Sequence, residues 1–505
     1  MELAAGFTIS PLEDHLAAPR GRGRLAGSEH AGSAGGAPCG DSIRIAGDVA
    51  GGRVRVAGFE AGGCAAAQAA GSAVVELVRG AALLDAARIA PADVAAALGG
   101  LSPERMHAAE LAADALHGAL GSACAAGAAR LAPSASRTLV AMSGGVDSAV
   151  AAQLALDRGD QVVAVTLELW SDPAGDGTQS CCSPQAVIGA RALAHRMGLP
   201  HVTLDLRPDF RRHVVDDFVA QHDRGDTPNP CVRCNGLVRF DAMLELAERL
   251  GAARLATGHS ARVARDAAGP LVRRAVDPAK DQSYMLARLR PEHLDRLDFP
   301  LGELLKPHVR ELARRAELPV AEKRESQDLC FLAGTSGPAF LRRHGERPAR
   351  GGQVVDLSGR VLGRHEGQHH FTVGQRRGIG VSAPEPLYVL RKEPASGRVV
   401  VGPRQALGRS RVDVAAATLY RDASRVDSVK LRYRSAPVPC RIAGEPGAGR
   451  HRRLTLELAR PVEGVAPGQV ACFMRGDSVV GFATIRAGAP DPPALETTKE
   501  DTVAV

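Results

Sequence analysis

The chain has 505 residues, more than a single core ordinarily organises, so two to four domains are expected. Hydrophobic residues make up 45% and aromatics 3%, which excludes a wholly disordered chain and predicts cores of small side chains rather than an aromatic base-stacking platform. A formal net charge of +7 permits a polyanionic partner without requiring one, and ten Cys in so long a chain are too sparse for a disulfide scaffold.

Residues 1–125 are rich in Ala and Gly. Alternating runs at 43–49 and 53–59 precede helical patterns broken at Gly80, Pro91 and Gly99, which predicts a small α+β unit. Residues 126–137 carry Gly, Pro and Ser and read as a linker. From 138 to 295, continuous apolar strands at 138–142, 161–169, 201–206 and 254–257 alternate with helices at 149–158 and 184–197. That is the pattern of a parallel, doubly wound α/β sheet. Residues 296–405 are expected to form a small central domain and 406–488 a C-terminal β-barrel, from short strands such as 387–390, 398–401, 452–458 and 470–474 with Pro and Gly between them. The Pro-rich, then polar, tail 489–505 is expected to be disordered. Met1-Glu2-Leu3 starts no basic, apolar leader, and no apolar run reaches the roughly 18 residues of a membrane span, so a cytoplasmic protein with no membrane partner is expected.

The sharpest motif is Ser143-Gly144-Gly145-Val146-Asp147-Ser148, directly after a strand and at the start of a helix. Two glycines let backbone N–H groups approach a phosphate, and the helix N-terminus favours an anion. Asp147 offers a carboxylate for Mg²⁺, and the two Ser hydroxyls can donate to phosphate oxygens. A simple tight turn would need only the glycines. No Gly-Lys-Ser/Thr follows, so the loop is not of Walker type. It resembles the PP-loop of the ATP pyrophosphatases, which cleave ATP between the α and β phosphates and adenylate a carbonyl oxygen.

Thr227-Pro-Asn-Pro-Cys231-Val-Arg-Cys234-Asn235 holds a Cys-x-x-Cys pair that suits a zinc half-site, a redox pair or iron–sulfur ligation. No second such pair follows, which disfavours a four-Cys zinc ribbon. Cys330, in Ser326-Gln-Asp-Leu-Cys330-Phe331, would by itself read as a core thiol. These segments stand in order with Ala256-Thr-Gly-His259, Lys280-Asp-Gln-Ser-Tyr-Met-Leu286, Phe371-Thr-Val-Gly-Gln-Arg-Arg-Gly378, Leu431-Arg-Tyr-Arg434 and Pro467-Gly-Gln469. Together, over about residues 137–487, they resemble the tRNA-specific 2-thiouridylases, PP-loop sulfurtransferases that place sulfur on C2 of the wobble uridine.

That resemblance implies ATP binding at Ala141, Met142, Ser143, Gly144, Gly145, Val146, Asp147, Ser148, Leu167 and Gly258. It implies Cys234 as the nucleophile, Cys330 as the persulfide carrier, with residues 320–335 contributing this second catalytic Cys to the 138–295 domain, and Asn229, Pro230 and Cys231 around the target base. His259, Lys280, Asp281, Gln282, Arg432, Tyr433 and Gln469 fall at tRNA-contacting positions, where Lys280 and Arg432 would otherwise read as solvated charges and His259 as a core histidine. ATP and Mg²⁺ are the implied cofactors. The implied partners are a tRNA of the Lys, Glu or Gln type and a cysteine desulfurase or sulfur-relay donor. The uracil oxygen is a poor leaving group until adenylated; a thiolate or persulfide then attacks C2 and AMP departs. Arg233 is a candidate cation for lowering the Cys234 pKa. Two sulfur routes stay open: a Cys330 persulfide resolved by Cys234 as a disulfide, and a 4Fe–4S cluster on Cys231, Cys234 and Cys330 with one open iron for sulfide. Cys181 and Cys182 receive no role, and Cys440 and Cys472 are expected in the core. The alternatives are another PP-loop adenylating ligase and an RNA-binding iron–sulfur or sulfur carrier; neither needs the whole motif set.

At the other end, Cys39-Gly-Asp41, Gly62-Gly-Cys64 and His107 resemble the IscU/NifU-like iron–sulfur scaffold proteins. The resemblance implies a tetrahedral site of Cys39, Asp41, Cys64 and His107 for zinc or an iron–sulfur cluster. The scaffold family has a Cys directly after this His; here the residue is Ala108, and Cys124 is out of register. Tethering a sulfur or cluster handler to a sulfur-using enzyme raises the donor's effective concentration, so delivery to Cys234 or Cys330 is expected.

Overall fold

The computed structural model describes residues 9–25, 27–28, 30–35, 40–171, 184–324, 329–332, 335–345 and 351–488. They fall into two units, one of residues 1–216 with 231–337 and one of 217–230 with 338–505. Among the described residues no helix is long and apolar enough to cross a membrane.

In the first unit, α1 (Pro11–Ala17) opens on a capping box: the Glu13 N–H donates to Ser10 Oγ (3.3 Å) and the Ser10 N–H to Glu13 Oε2 (3.0 Å). Strands β1 (His30–Gly35), β2 (Ser42–Ala50) and β3 (Arg53–Gly62) form an antiparallel meander with Ile45 opposite both Gly32 and Phe59. Helices α2 (Ala65–Val78), α3 (Leu83–Ala86), α4 (Pro91–Ala97) and α5 (Met106–Ala125) complete this α+β unit. Close approach accounts for its Ala and Gly content. A Cβ on Gly32 would stand 2.2 Å from the Ala115 carbonyl oxygen, and one on Gly71 would stand 2.4 Å from the Phe59 ring. Larger side chains would push helix and sheet apart.

Strands β4 (Ser134–Ala141), β5 (Gln161–Glu168), β6 (His201–Asp205) and β7 (Ala252–Thr257) follow, then the hairpin β8 (Ala261–Asp266) and β9 (Gly269–Arg274), then β10 (Leu297–Asp298). Five of them form an all-parallel sheet in the order β10-β7-β4-β5-β6. Residues 162–166 of β5 are buried in succession, as a strand covered on both faces requires. The helices are α6 (Val146–Asp157), α7 (Pro184–Arg196), α8 (Arg207–Phe210), α10 (Pro230–Cys234), α11 (Phe240–Arg249) and α12 (Lys306–Arg315), whereas α9 (Asp216–Asp223) falls almost wholly in the second unit. Val146 and Val150, Leu193, and Val309 and Ala313 share one core with Val140 and Ala256. Residues 301–321 therefore complete the parallel-sheet domain, whereas the central domain was expected to begin at 296. The expected linker 126–137 is likewise structured. Its last four residues belong to β4, and the Leu131 N–H donates to the Arg249 carbonyl (2.9 Å).

In the second unit, β11 (Gly352–Val355), β12 (Val361–His365), β13 (Tyr388–Glu393) and β14 (Arg398–Gly402) follow α13 (Gly337–His344) and make a small sheet in the order β12-β11-β14-β13. Six strands follow: β15 (Gly408–Leu419), β16 (Ser428–Lys430), β17 (Val438–Ile442), β18 (Gly449–Glu463), β19 (Val470–Arg475) and β20 (Ser478–Ile485). They run in the order β15-β18-β17-β16-β19-β20, and β20 pairs back onto β15 with Val414 opposite Ile485. The expected C-terminal barrel is thus closed and has no free edge. The multidomain architecture expected from sequence is the one the chain adopts.

Candidate nucleotide and sulfur-transfer site

The Ser143–Ser148 loop leaves the carboxyl end of β4, between β5 on one side and β7 on the other. Ala141 pairs with Val165 and with Thr257, so the loop lies beside the ends of both neighbours, the switch point where open α/β sheets bind ligands. Ala141 and Leu167 are half-buried there and Met142 is buried. Gly144 takes a φ of 68°, and Gly145 caps α6 without a side-chain bond, leaving its first-turn N–H groups to an incoming anion. The two serines differ. Ser148 is buried; its Oγ accepts from the Ser143 N–H (3.1 Å) and donates to the Gly145 carbonyl (3.1 Å), so it shapes the loop, whereas Ser143 is exposed. Across the loop, a Cβ on Gly258 would stand 2.6 Å from the Ser148 nitrogen, which explains a glycine there. Two lysines that carry no local motif also reach the loop: Lys306 Nζ donates to Asp147 Oδ1 (2.6 Å) and Lys323 Nζ to the Gly144 carbonyl (2.9 Å).

Cys231 and Cys234 sit one turn apart at the start of a continuous helical run, α10, then a π-helical turn over Asn235–Arg239, then α11. Cys234 is buried, Cys231 and Cys330 are half-buried, and all three belong to the first unit. The run is anchored by Asn235 Nδ2, which donates to the Met285 carbonyl (3.1 Å), and by Arg233 Nε, which donates to the His213 carbonyl. Beside Cys330, the buried Phe331 packs edge-on to Phe210 (5.9 Å), which in turn lies 6.4 Å from Trp170. Ser326 and Gln327, like Cys39, Cys181 and Cys182, lie outside the described residues.

The Thr257–Ser260 and Lys280–Ser283 segments are clamped together. The Gln282 N–H donates to the Ser260 carbonyl (2.8 Å) and the Ser260 N–H to Gln282 Oε1 (2.9 Å). Asp281 is buried. Its carboxylate accepts from the Ala275 and Ser283 N–H groups and the Ser283 hydroxyl (3.2, 3.1 and 3.0 Å) and pairs with Arg274 (3.4 Å). Lys280 is half-buried. His259 is 2.8 Å from Thr257 Oγ1, with its ring 5.6 Å from Phe240 and 6.3 Å from Phe299. Desolvation, with Arg239 nearby, pushes its pKa down to about 3, so it meets any partner as a neutral imidazole.

In the second unit, the residues expected to touch tRNA make internal bonds. Gln469 Nε2 donates to the Thr227 carbonyl (2.7 Å), and the Thr227 N–H donates to Pro467 (2.7 Å). Gly468 has φ 88°, and a Cβ there would stand 2.8 Å from the Thr227 nitrogen. Arg432 Nη2 donates to the Val373 carbonyl (3.2 Å) and to that of Gly464. Tyr433 and Asn229 are half-buried and Pro230 is buried. Cys472 is a core residue, as expected; Cys440 is only half-buried, with burial pushing its thiol up to about 12.

At the N-terminal end, Asp41 is the hub. Its Oδ1 accepts from the Cys64 N–H (2.8 Å), and its Oδ2 lies 3.0 Å from Cys64 Sγ and 2.8 Å from His107 Nε2. One ligand atom from each residue lies within 4.8 Å of the others. Gly63 has φ 103° and faces Asp41 so closely that a Cβ would stand 2.0 Å from Oδ1. His107 Nδ1 is held by the Glu104 carbonyl (2.7 Å), which leaves Nε2 as the ligand nitrogen. Carboxylate, thiol and imidazole converging in this way suit a zinc ion. Ala108 is buried, and Cys124, buried at the far end of α5, is some 25 Å along the helix from His107.

Four family models match the chain: a NifU-like N terminal domain over residues 11–124, a tRNA methyl transferase HUP domain over 136–334, a tRNA methyl transferase PRC-barrel domain over 339–403 and an aminomethyltransferase beta-barrel domain over 417–485. The chain is 46% identical to a bifunctional protein NifU/MnmA of Rubrobacter xylanophilus over 94% of its own length and 97% of the relative's. It is 42% identical to a tRNA-specific 2-thiouridylase MnmA of Geobacter metallireducens over 70% of its length and 97% of the relative's. A solved NifU-like N-terminal protein of Brucella abortus superposes on 22% of the chain and 80% of its own, at 22% identity and a TM-score of 0.16. The chain belongs to the MnmA family, in the form that carries a NifU-like domain ahead of the PP-loop domain.

Proposed function

We infer that the chain is a tRNA-uridine 2-sulfurtransferase, which adenylates the C2 oxygen of the wobble uridine with ATP and replaces that oxygen by sulfur. The observation that carries the reading is the Ser143–Ser148 loop at the switch point of the sheet, opposite Gly258, in the unit that also holds Cys231, Cys234 and Cys330. Asp147 is the residue that would hold Mg²⁺, which when bound neutralises phosphate charge. Backbone N–H groups at the start of α6 bind the phosphates. Asn229, Pro230 and Cys231 hold the base. Lys280, Gln282, His259 and Tyr433 contact tRNA, with Asp281, Arg432 and Gln469 fixing the segments that do.

Cys330 carries the persulfide. The Cys234 thiolate attacks the Cys330 sulfur, displaces hydrosulfide and closes a Cys234–Cys330 disulfide. The hydrosulfide adds to C2, AMP leaves with the former C2 oxygen and its bonding pair, and a thiol reductant reopens the disulfide. The cluster route uses the same two thiols with Cys231, which stands one turn from Cys234. The N-terminal domain holds zinc or an iron–sulfur cluster at Asp41, Cys64 and His107 and passes sulfur or a cluster on. A cysteine desulfurase or relay protein charges the system in the cytoplasm, and the tRNAs are of the Lys, Glu and Gln type.

The test uses the full chain with ATP, tRNA and a persulfide donor, and reads AMP release together with 2-thiouridine by mass spectrometry. AMP release stimulated by tRNA is expected, with thiolation lost in Cys234→Ser and in Cys330→Ser. Thiolation retained by Cys330→Ser would refute both sulfur routes, and thiolation retained by Cys231→Ala would exclude the cluster.

A further inference from the structure

We propose that Lys306 and Lys323 are the cations that bind the β and γ phosphates of ATP and steady the pyrophosphate as it leaves; this rests on the reading of an adenylating PP-loop. The segment 141–148 contains no cationic side chain and one carboxylate, Asp147. Backbone N–H groups and a helix N-terminus supply partial positive charge, but a triphosphate carries several full negative charges. Two ammonium groups come from a segment more than 150 residues downstream. Lys306 Nζ lies on Asp147 Oδ1 at 2.6 Å with its side chain 12% exposed, and Lys323 Nζ on the Gly144 carbonyl at 2.9 Å.

Both sit on fixed supports. Lys306 begins α12, its N–H bonded to Asp277 Oδ2 (3.0 Å), and α12 packs on α6 through Val309 and Ala313. Arg310, one turn on, donates to the Ala321 carbonyl (2.6 Å) and the Lys323 carbonyl (3.3 Å), which holds the turn that presents Lys323. The helix that completes the hydrophobic core therefore also supplies charge to the loop. In adenylation the uridine C2 oxygen bonds to the α phosphorus as the N3 proton passes to water. The α–β anhydride bond breaks, and its electron pair goes to pyrophosphate. The ammonium groups stand where that charge grows. On arrival of the triphosphate, Lys306 exchanges Asp147 for phosphate and leaves the carboxylate to a divalent cation.

The experiment is calorimetric titration of the full chain with ATP and, separately, with AMP, without tRNA. The wild type binds ATP more tightly than AMP. Lys306→Met and Lys323→Met each lose roughly tenfold in ATP affinity, the order of one charge-assisted contact, while AMP affinity stays within about twofold. Lys323→Arg recovers most of the loss. Unchanged ATP affinity in both Met variants, an equal loss for AMP, or a wild type that does not distinguish the two nucleotides would overturn the proposal. AMP binding also reports that each variant is folded. A chain that passes this test but leaves tRNA unthiolated overturns the sulfurtransferase reading and leaves the lysines standing.

Discussion

Asp41 holds its two neighbours in the protonation states a metal must undo. His107 faces carbonyl and carboxylate oxygens from its two nitrogens, and the Asp41 bond raises its pKa above the usual value. Burial first, and the Asp41 carboxylate second, push the Cys64 thiol up. A zinc ion needs a neutral imidazole and a thiolate, so binding expels protons. The sign follows: both folded pKa values are raised, so protons compete more strongly at low pH and affinity rises as pH climbs through the His107 pKa and toward that of Cys64. Chelator-competition titrations between pH 6 and 8, taken as the difference between wild type and Cys64→Ser, are expected to show about a tenfold gain in zinc affinity per pH unit for each proton released. A pH-independent difference would show that the ion binds elsewhere. The three residues were legible from short motifs because each sits in a Gly-marked or helix-start context. The central part of Asp41 was not, because nothing local to Cys-Gly-Asp says that a buried carboxylate bridges a strand end and a helix start.

At the scale of elements, a motif expected to contact tRNA also forms a joint within the second unit. Pro467-Gly-Gln469 meets Thr227 through two main-chain or amide bonds, and Gly468 is needed for the approach. Gln469→Ala is therefore expected to loosen the segment that leads into Cys231. In steady-state thiolation the KM for tRNA should rise roughly tenfold, the cost of one or two lost bonds, with the KM for ATP unchanged. Equal changes in both, or none, would place Gln469 outside the tRNA path. Periodicity and turn residues made the parallel strands and the barrel visible, since each carries its pattern within a few residues. The joint between 227 and 467–469 has no such pattern, because it depends on closure of distant segments. The same holds for α12. Lys-Pro-His-Val-Arg-Glu-Leu-Ala-Arg-Arg reads as a charged surface helix, and only the partner face on α6 reveals Val309 and Ala313 as core. That is why the domain edge expected at 296 was misplaced and why Lys306 escaped notice.

Across the first unit, the N-terminal α+β domain is not a loosely tethered module. Helix α5 packs along β6, the edge of the parallel sheet. The His201 N–H donates to the Ala87 carbonyl (2.8 Å), and His117 Nδ1 lies 3.0 Å from the His201 carbonyl. Gly121 is so close to Thr203 that a Cβ would stand 1.7 Å from its carbonyl oxygen. Removing residues 1–130 would therefore bare a sheet edge, and a loss of thiolation in that truncation would report unfolding as readily as lost sulfur delivery. The interface also contains an ion pair between Arg191, 4% exposed, and Asp114. Burial alone pulls the Arg191 pKa down to about 10, so the guanidinium depends on its carboxylate. Asp114→Ala leaves that charge buried and unpaired, at a cost of about 3–5 kcal/mol. In a thermal melt the transition should fall by roughly 5–10 °C. The double variant Asp114→Leu with Arg191→Met removes the charge together with its partner and should recover most of the loss. A melt for Asp114→Ala within a degree of wild type would mean that water reaches Arg191 and that the two domains part readily in solution; a drop rescued by the apolar pair would establish that they move as one body.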